Sequence, residues 1–128
     1  TLQLINAGHN WPLLIKGDGK VEEVERVGMP LGVRRNSIQP EIRTICLNPG
    51  EILFSYTDAL VEVQAPHGEI FGHEKLYREI ACVAGKSPEE VVTLMKLAWD
   101  DFREGGLQQD DLTMLVIKNV AEETTDVI

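Results

Sequence analysis

The spacing of the apolar residues changes twice along the chain, and this limits the fold to one in which helices cover a sheet. Residues 1–57 alternate like strands and are interrupted by turns rich in Gly, Asn and Pro. Residues 73–102 switch to helical spacing, and Leu112–Val120 return to strand character. Strands, then two helices, then a closing strand predict an α+β domain with a mostly antiparallel sheet.

In detail, Leu2–Asn6 reads as a strand, Ala7-Gly8-His9-Asn10 as a tight turn, and Trp11–Lys16 as the returning strand of a hairpin. Gly17-Asp18-Gly19-Lys20 turns the chain into a third strand over Val21–Val27. The loop Gly28–Val33 leads to an extended stretch, Ile38–Leu47, that carries Ile42, Ile45 and Leu47 toward a core. Asn48-Pro49-Gly50 then turns into the strand Glu51–Thr57.

His73–Val83 places Leu76, Ile80 and Val83 at helical spacing. Ser87-Pro88-Glu89-Glu90 is a capping box, with Pro at the first helical position and acids in the first turn. Val91, Leu94, Met95, Ala98, Trp99 and Phe102 mark the apolar face of that helix, and Gly105-Gly106 ends it. Ala121–Ile128 is expected to be a loose acidic tail. The chain opens inside a strand with no initiator Met, which points to a fragment.

The 128 residues suffice for one domain. A net charge of −9 argues against nonspecific nucleic-acid binding and against anionic membrane surfaces. No apolar run approaches the roughly 20 residues that span a bilayer, and no signal peptide is visible. The expectation is a cytoplasmic domain without membrane insertion. Cys46 and Cys82 lie in apolar contexts without metal-ligand spacing and are expected to be buried free thiols.

Two acidic motifs carry the candidate chemistry. Asp58 follows the strand-forming run Ile52–Thr57, and Asp110-Asp111 precede Leu112–Ile117. Carboxylates at strand ends can converge on one sheet edge, where oxygen ligands suit Mg²⁺ or Mn²⁺. Each also has an ordinary reading: Asp58 as a cap, the aspartate pair as a polar strand start. Glu62 faces the same way as Asp58 if the segment turns helical, and is otherwise a surface charge. His9 is either a structural turn residue or a contact to metal or phosphate. His67 and His73 lack ligand spacing and read as loop residues, and Gly28–Val33 reads as a shaped turn. No nucleophile triad or reactive-Cys signature is present, so no catalytic residue beyond metal ligands is expected.

In order along the chain, INAGHNWPLLI, GMPLGV, LNPGEILFSYTDALVE, GEIFGHEKL and DDLTMLVIK resemble one family. It is the C-terminal half of bacterial metal-dependent protein phosphatases of the PPM (type 2C) superfamily, in the SpoIIE/RsbU-like branch. The resemblance covers residues 1–120. It implies part of a four-layer α-β-β-α sandwich with a binuclear Mn²⁺ or Mg²⁺ centre. The parent would dephosphorylate serine or threonine on a regulatory protein, such as an anti-anti-sigma factor. Asp58 and Asp110 match metal-ligand positions. Asp111 matches a neighbouring supporting position, and Glu62 matches one that serves an extra metal in some relatives. His9 replaces an Asp those relatives carry, so no third metal is implied.

Three departures matter. The family's principal ligand comes from an upstream D-x-x-G-H-G motif that this chain lacks. Ala59 stands in place of the usual Gly after Asp58, and Trp11 in place of a Pro. The fragment alone is therefore expected to be inactive and to self-associate through uncovered sheet edges. The alternative reading is a noncatalytic interaction or sensory module on a degenerate phosphatase fold.

Overall fold

The computed structural model describes residues 1–25, 28–35, 41–108 and 110–120. Six strands and three helices follow in the order β1 (Leu2–Ile5), β2 (Leu13–Ile15), β3 (Val21–Glu23), β4 (Ile42–Ile45), β5 (Ile52–Tyr56), α1 (Ala59–Glu62), α2 (Gly72–Ile80), α3 (Pro88–Arg103) and β6 (Met114–Lys118). A 3₁₀ turn, Ala81–Val83, extends α2. The larger sheet runs β3-β2-β5-β6 and the smaller pairs β1 with β4, and every pairing is antiparallel.

The larger sheet is apolar on both faces, as a middle layer must be. Leu13, Ile15, Ile52, Phe54 and Tyr56 pack with Leu76 and Ile80 of α2 and with Val91, Met95 and Trp99 of α3. Leu14 and Leu53, one residue out of phase, join Val24, Ile45 and Leu47, with Leu2 and Leu4 packed alongside. The described residues therefore form three layers, helix, sheet and sheet, of the expected sandwich order. No helix among them is long and apolar enough to cross a membrane.

The capping box is present in full: the Ser87 hydroxyl accepts from the Glu90 N–H at 3.2 Å, and Glu90 reaches back to the Ser87 N–H at 3.2 Å. Along α3 the buried stripe is Val91, Met95 and Trp99, while Leu94 of the predicted apolar face is exposed. The Trp99 indole N–H donates to the Ala59 carbonyl across 2.9 Å in the core. That bond fixes α3 against the first residue of α1, immediately after Asp58.

Four other expectations are corrected. β1 and β2 do not form a hairpin, because β1 pairs only with β4 while β2 sits between β3 and β5. The segment between them crosses from one sheet to the other, and the Asn6 side chain holds it. Gly8 makes the crossing possible: it has φ of +97°, and a Cβ there would lie 2.5 Å from Pro30 Cγ. Ile42 is 60% exposed at the start of β4, paired with the similarly open Ile5, whereas Ile45 and Leu47 are buried. Cys46 and Cys82 are exposed free thiols; strand alternation turns Cys46 away from its buried neighbours Ile45 and Leu47. His73 belongs to α2 rather than a loop. The predicted third strand extends to Val27 and the fourth begins at Ile38, but residues 26–27 and 36–40 lie outside the described set, as does the tail 121–128.

Candidate metal centre

β5 and β6 are neighbours in antiparallel register, with Tyr56 opposite Met114. The end of one strand and the start of the other therefore meet at the same edge of the sheet. Asp58 leaves β5 there, and Asp110-Asp111 lead into β6. All three line one open cleft of about 370 Å³, together with Thr57 and Thr113 and the loop residues His9 and Asn10. No Lys or Arg among the described residues lines it, and none of the three carboxylates is ion-paired within that set.

Asp58 occupies the N-cap position of α1 but makes no side-chain capping bond. Its Oδ1 instead accepts from Asn10 Nδ2 at 2.8 Å, and the same amide also donates to the Tyr56 carbonyl at 3.3 Å. Asn10 is placed by Asn6, only 8% exposed, whose Oδ1 accepts from the His9 N–H at 2.8 Å. The Asn6 amide donates to the carbonyls of His9 and Asn10 at 3.2 and 3.3 Å. Thus two asparagines tie the β1–β2 crossing to the carboxylate at the end of β5.

Thr57 secures the other side. Its hydroxyl donates to the Asp111 carbonyl at 3.2 Å and accepts from the Thr113 N–H at 3.0 Å. The Asp111 N–H in turn donates to Asp110 Oδ1 at 2.8 Å, and Gln108 donates to the Asp110 carbonyl at 3.0 Å. Burial, reinforced by the charges of Glu23 and Asp58, pushes the Tyr56 phenol up to about 12.

Exposed carboxylate oxygens, without a paired cation and without sulfur, are the donor set of a hard divalent ion. The fit is one of kind. In number it is incomplete, for no group of three His, Cys, Asp or Glu among the described residues converges closely enough to hold a metal ion.

The sequence matches the family model for Stage II sporulation protein E (SpoIIE) over residues 1–120. The chain belongs to the SpoIIE family. Protein IcfG of Synechocystis sp. (strain ATCC 27184 / PCC 6803 / Kazusa) is 28% identical over 116 residues, which are 91% of this chain and 18% of that protein. The fold is that of PP2C phosphatase domains. The Bacillus subtilis SpoIIE structure, a PP2C phosphatase domain with a fragment of its regulatory domain, superposes with a TM-score of 0.70 at 23% identity, covering 89% of this chain and 32% of that one. The SiaA-PP2C domain of Pseudomonas aeruginosa gives 0.69 at 22% identity over 91% and 46%. The RsbU and RsbW domains of Rv1364c from Mycobacterium tuberculosis give 0.66 at 27% identity over 89% and 31%. The SpoIIE-family chain spans less than half the length of each of these relatives.

Of the residues singled out in the sequence, Asp58, Asp110, Asp111 and His9 share the cleft. Glu62 does not line it: with Asp110, Ala59 and Trp99 it borders a separate small cavity. His67 is remote, 3.0 Å from Glu69 in the loop before α2. Asn6, Asn10 and Thr57 were not singled out. Only Thr57 had a local signal, its place between the end of a strand and Asp58.

Proposed function

We propose that this SpoIIE-family chain is the C-terminal portion of a metal-dependent serine/threonine protein phosphatase, with Asp58 and Asp110 as ligands of Mn²⁺ or Mg²⁺. The observation that carries the reading is the convergence of both carboxylates on one unpaired cleft at the β5–β6 edge. Asn10 holds Asp58, Asp111 supports Asp110 through its N–H, and Thr57 keeps the two strand ends together. A divalent cation held there supplies Lewis-acid polarisation of the phosphoryl group and an activated water. The chain's own contribution is to orient the ligand oxygens and leave the cleft open to a phosphorylated side chain. A Mn-presoaked crystal of the Bacillus subtilis SpoIIE phosphatase domain supports manganese as the first ion to test. The substrate we infer is a small cytoplasmic regulatory phosphoprotein, of the anti-anti-sigma kind. The joint RsbU and RsbW domains of one structural neighbour support a partner from such a switch.

The remaining ligands would come from the upstream half of the domain, so this stretch alone should be inactive. The test is Mn²⁺-dependent hydrolysis of an aryl phosphate by this chain and by the same protein extended upstream. Turnover by the extended protein, abolished by Asp58→Asn and by Asp110→Asn, is the expected result. Near-normal turnover in either variant would remove these residues from the centre.

One observation favours a second reading, a noncatalytic interaction module: no three-ligand group exists among the described residues. On that reading neither form hydrolyses phosphate, and partner binding is indifferent to Mn²⁺.

A further inference from the structure

Beside the carboxylate cleft lies a second, larger one of about 480 Å³ that the proposed chemistry does not use. His9 and Asn10 line both, so the two are adjoining rooms with one shared wall. The far walls of the second are Trp11, Tyr56, Glu23 on β3, and His73 and Tyr77 on α2. Trp11, Tyr56 and Tyr77 thus share the cleft with a single carboxylate.

Glu23 is held on one side. One of its oxygens accepts a hydrogen bond from the Tyr77 hydroxyl, and the other has no hydrogen bond or ion pair among the described residues. No Lys or Arg lines the space within the described set. Trp11 stands 37% exposed, a large aromatic surface left in contact with water. An anion would meet Glu23 in a chain of net charge −9. A cation would meet a carboxylate and aromatic rings, both of which attract it.

We propose that the cleft between the His9–Trp11 loop, β3 and α2 binds a cationic side chain, a guanidinium before an ammonium, on the protein whose phosphorylated residue enters the adjoining Asp58–Asp110 cleft. A guanidinium is the better fit because it is planar, weakly hydrated and able to lie against rings while donating to Glu23. The cleft would read a basic residue close to the phosphorylation site and so set substrate choice. Only the phosphorylated neighbour rests on the phosphatase reading; the cation site stands on its own residues.

Two measurements on the upstream-extended protein test it. The first follows the Trp11 indole N–H by NMR during titration with acetyl-Ala-Arg-Ala-amide or acetyl-Ala-Glu-Ala-amide. The Arg peptide should shift the signal and the Glu peptide should not, and Glu23→Gln, which keeps an acceptor for Tyr77, should weaken the Arg peptide by about tenfold. Equal response to both peptides, or no loss in Glu23→Gln, overturns the proposal. So does preference for acetyl-Ala-Leu-Ala-amide, which would make the cleft an apolar one. The second compares turnover of phosphoserine peptides with Arg, Ala or Glu beside the phosphoserine, each divided by aryl phosphate turnover of the same variant. Preference for Arg that falls in Glu23→Gln and Trp11→Ala supports the proposal. Aryl phosphate turnover without that preference overturns it and leaves the phosphatase reading intact. Peptide binding at Trp11 without any turnover sinks the phosphatase reading and keeps the cation site.

Discussion

Asn10 Nδ2 lies 2.8 Å from Asp58 Oδ1, joining two residues 48 positions apart in sequence, one in the β1–β2 crossing and the other at the end of β5. The bond engages one oxygen of Asp58 and leaves the other without a hydrogen bond among the described residues, free for the proposed cation. Groups that hold a metal ligand in this way typically change affinity by about 10–100-fold when removed. Asn10→Ala should therefore weaken Mn²⁺ binding to the upstream-extended protein by about that factor in calorimetric titration. Its thermal midpoint without metal should shift little, since the amide is on an open cleft. An unchanged Mn²⁺ affinity would mean that Asn10 secures only the loop.

Thr57 makes a different kind of link. Its hydroxyl bonds backbone groups on both sides of Leu112, the Asp111 carbonyl and the Thr113 N–H, which holds the Asp110-Asp111 turn against the end of β5. Thr57→Val keeps the shape and removes both bonds. Leaving such groups without partners costs about 1–3 kcal/mol where they are shielded from water, and Thr57 is half-buried, so the lower end applies. Urea denaturation should show that loss without a change in slope. Deuterium exchange should quicken at Thr113 and stay unaltered in α3.

The parts of this site that are legible in the sequence are the local ones. Asp58 and Asp110 could be placed because each adjoins a strand-forming run, and antiparallel pairing of those runs brings their ends together. The helix beginning at Ser87 could be placed because its signal sits within four residues. Asn10 could not: its partner is fixed by the route of the β1–β2 crossing, and alternation identifies a strand without naming its neighbour. The same gap explains why a hairpin was expected where two sheets part company. Cys46 is different, for the alternation of Ile45, Cys46 and Leu47 already turned it outward, and its apolar neighbours concealed that.

The capping box gives a prediction independent of any metal. Ser87→Ala removes the acceptor for the Glu90 N–H and should cost about 1 kcal/mol. The Glu90 carboxyl is held below its ordinary value, first by the Ser87 backbone N–H and then by the Ser87 side chain. A depressed carboxyl stabilises the folded state above the unfolded carboxylate range, and that contribution is lost as pH falls through the depressed value. Glu90→Gln should thus flatten the acid side of the stability profile while leaving the neutral side reduced. An identical acid slope in wild type and Glu90→Gln would show that ionisation of Glu90 adds nothing to the reciprocal bond, which a glutamine can also make.

At the alkaline end two raised phenols contribute, Tyr56 and Tyr77, and Tyr77 is the one bonded to Glu23. Burial raises its phenol well above the ordinary tyrosine range, and the hydrogen bond to Glu23 together with that residue's charge adds to the rise. The sign follows from linkage: the native state holds its proton where the unfolded chain has released it. Stability from this group is therefore complete below about pH 10 and declines as pH climbs beyond it. Tyr77→Phe has no proton to lose, so its unfolding midpoint should fall less steeply above that pH than the wild type's. It should also free Glu23 from its only hydrogen bond among the described residues. If the carboxylate is needed in one fixed position to receive a cation, Tyr77→Phe will weaken the Arg peptide at neutral pH, where no phenol titrates. If the charge alone suffices, the alkaline profile will change and the peptide affinity will not. Denaturation across pH 8–12 and the Trp11 titration at neutral pH, run on the same variant, separate the two.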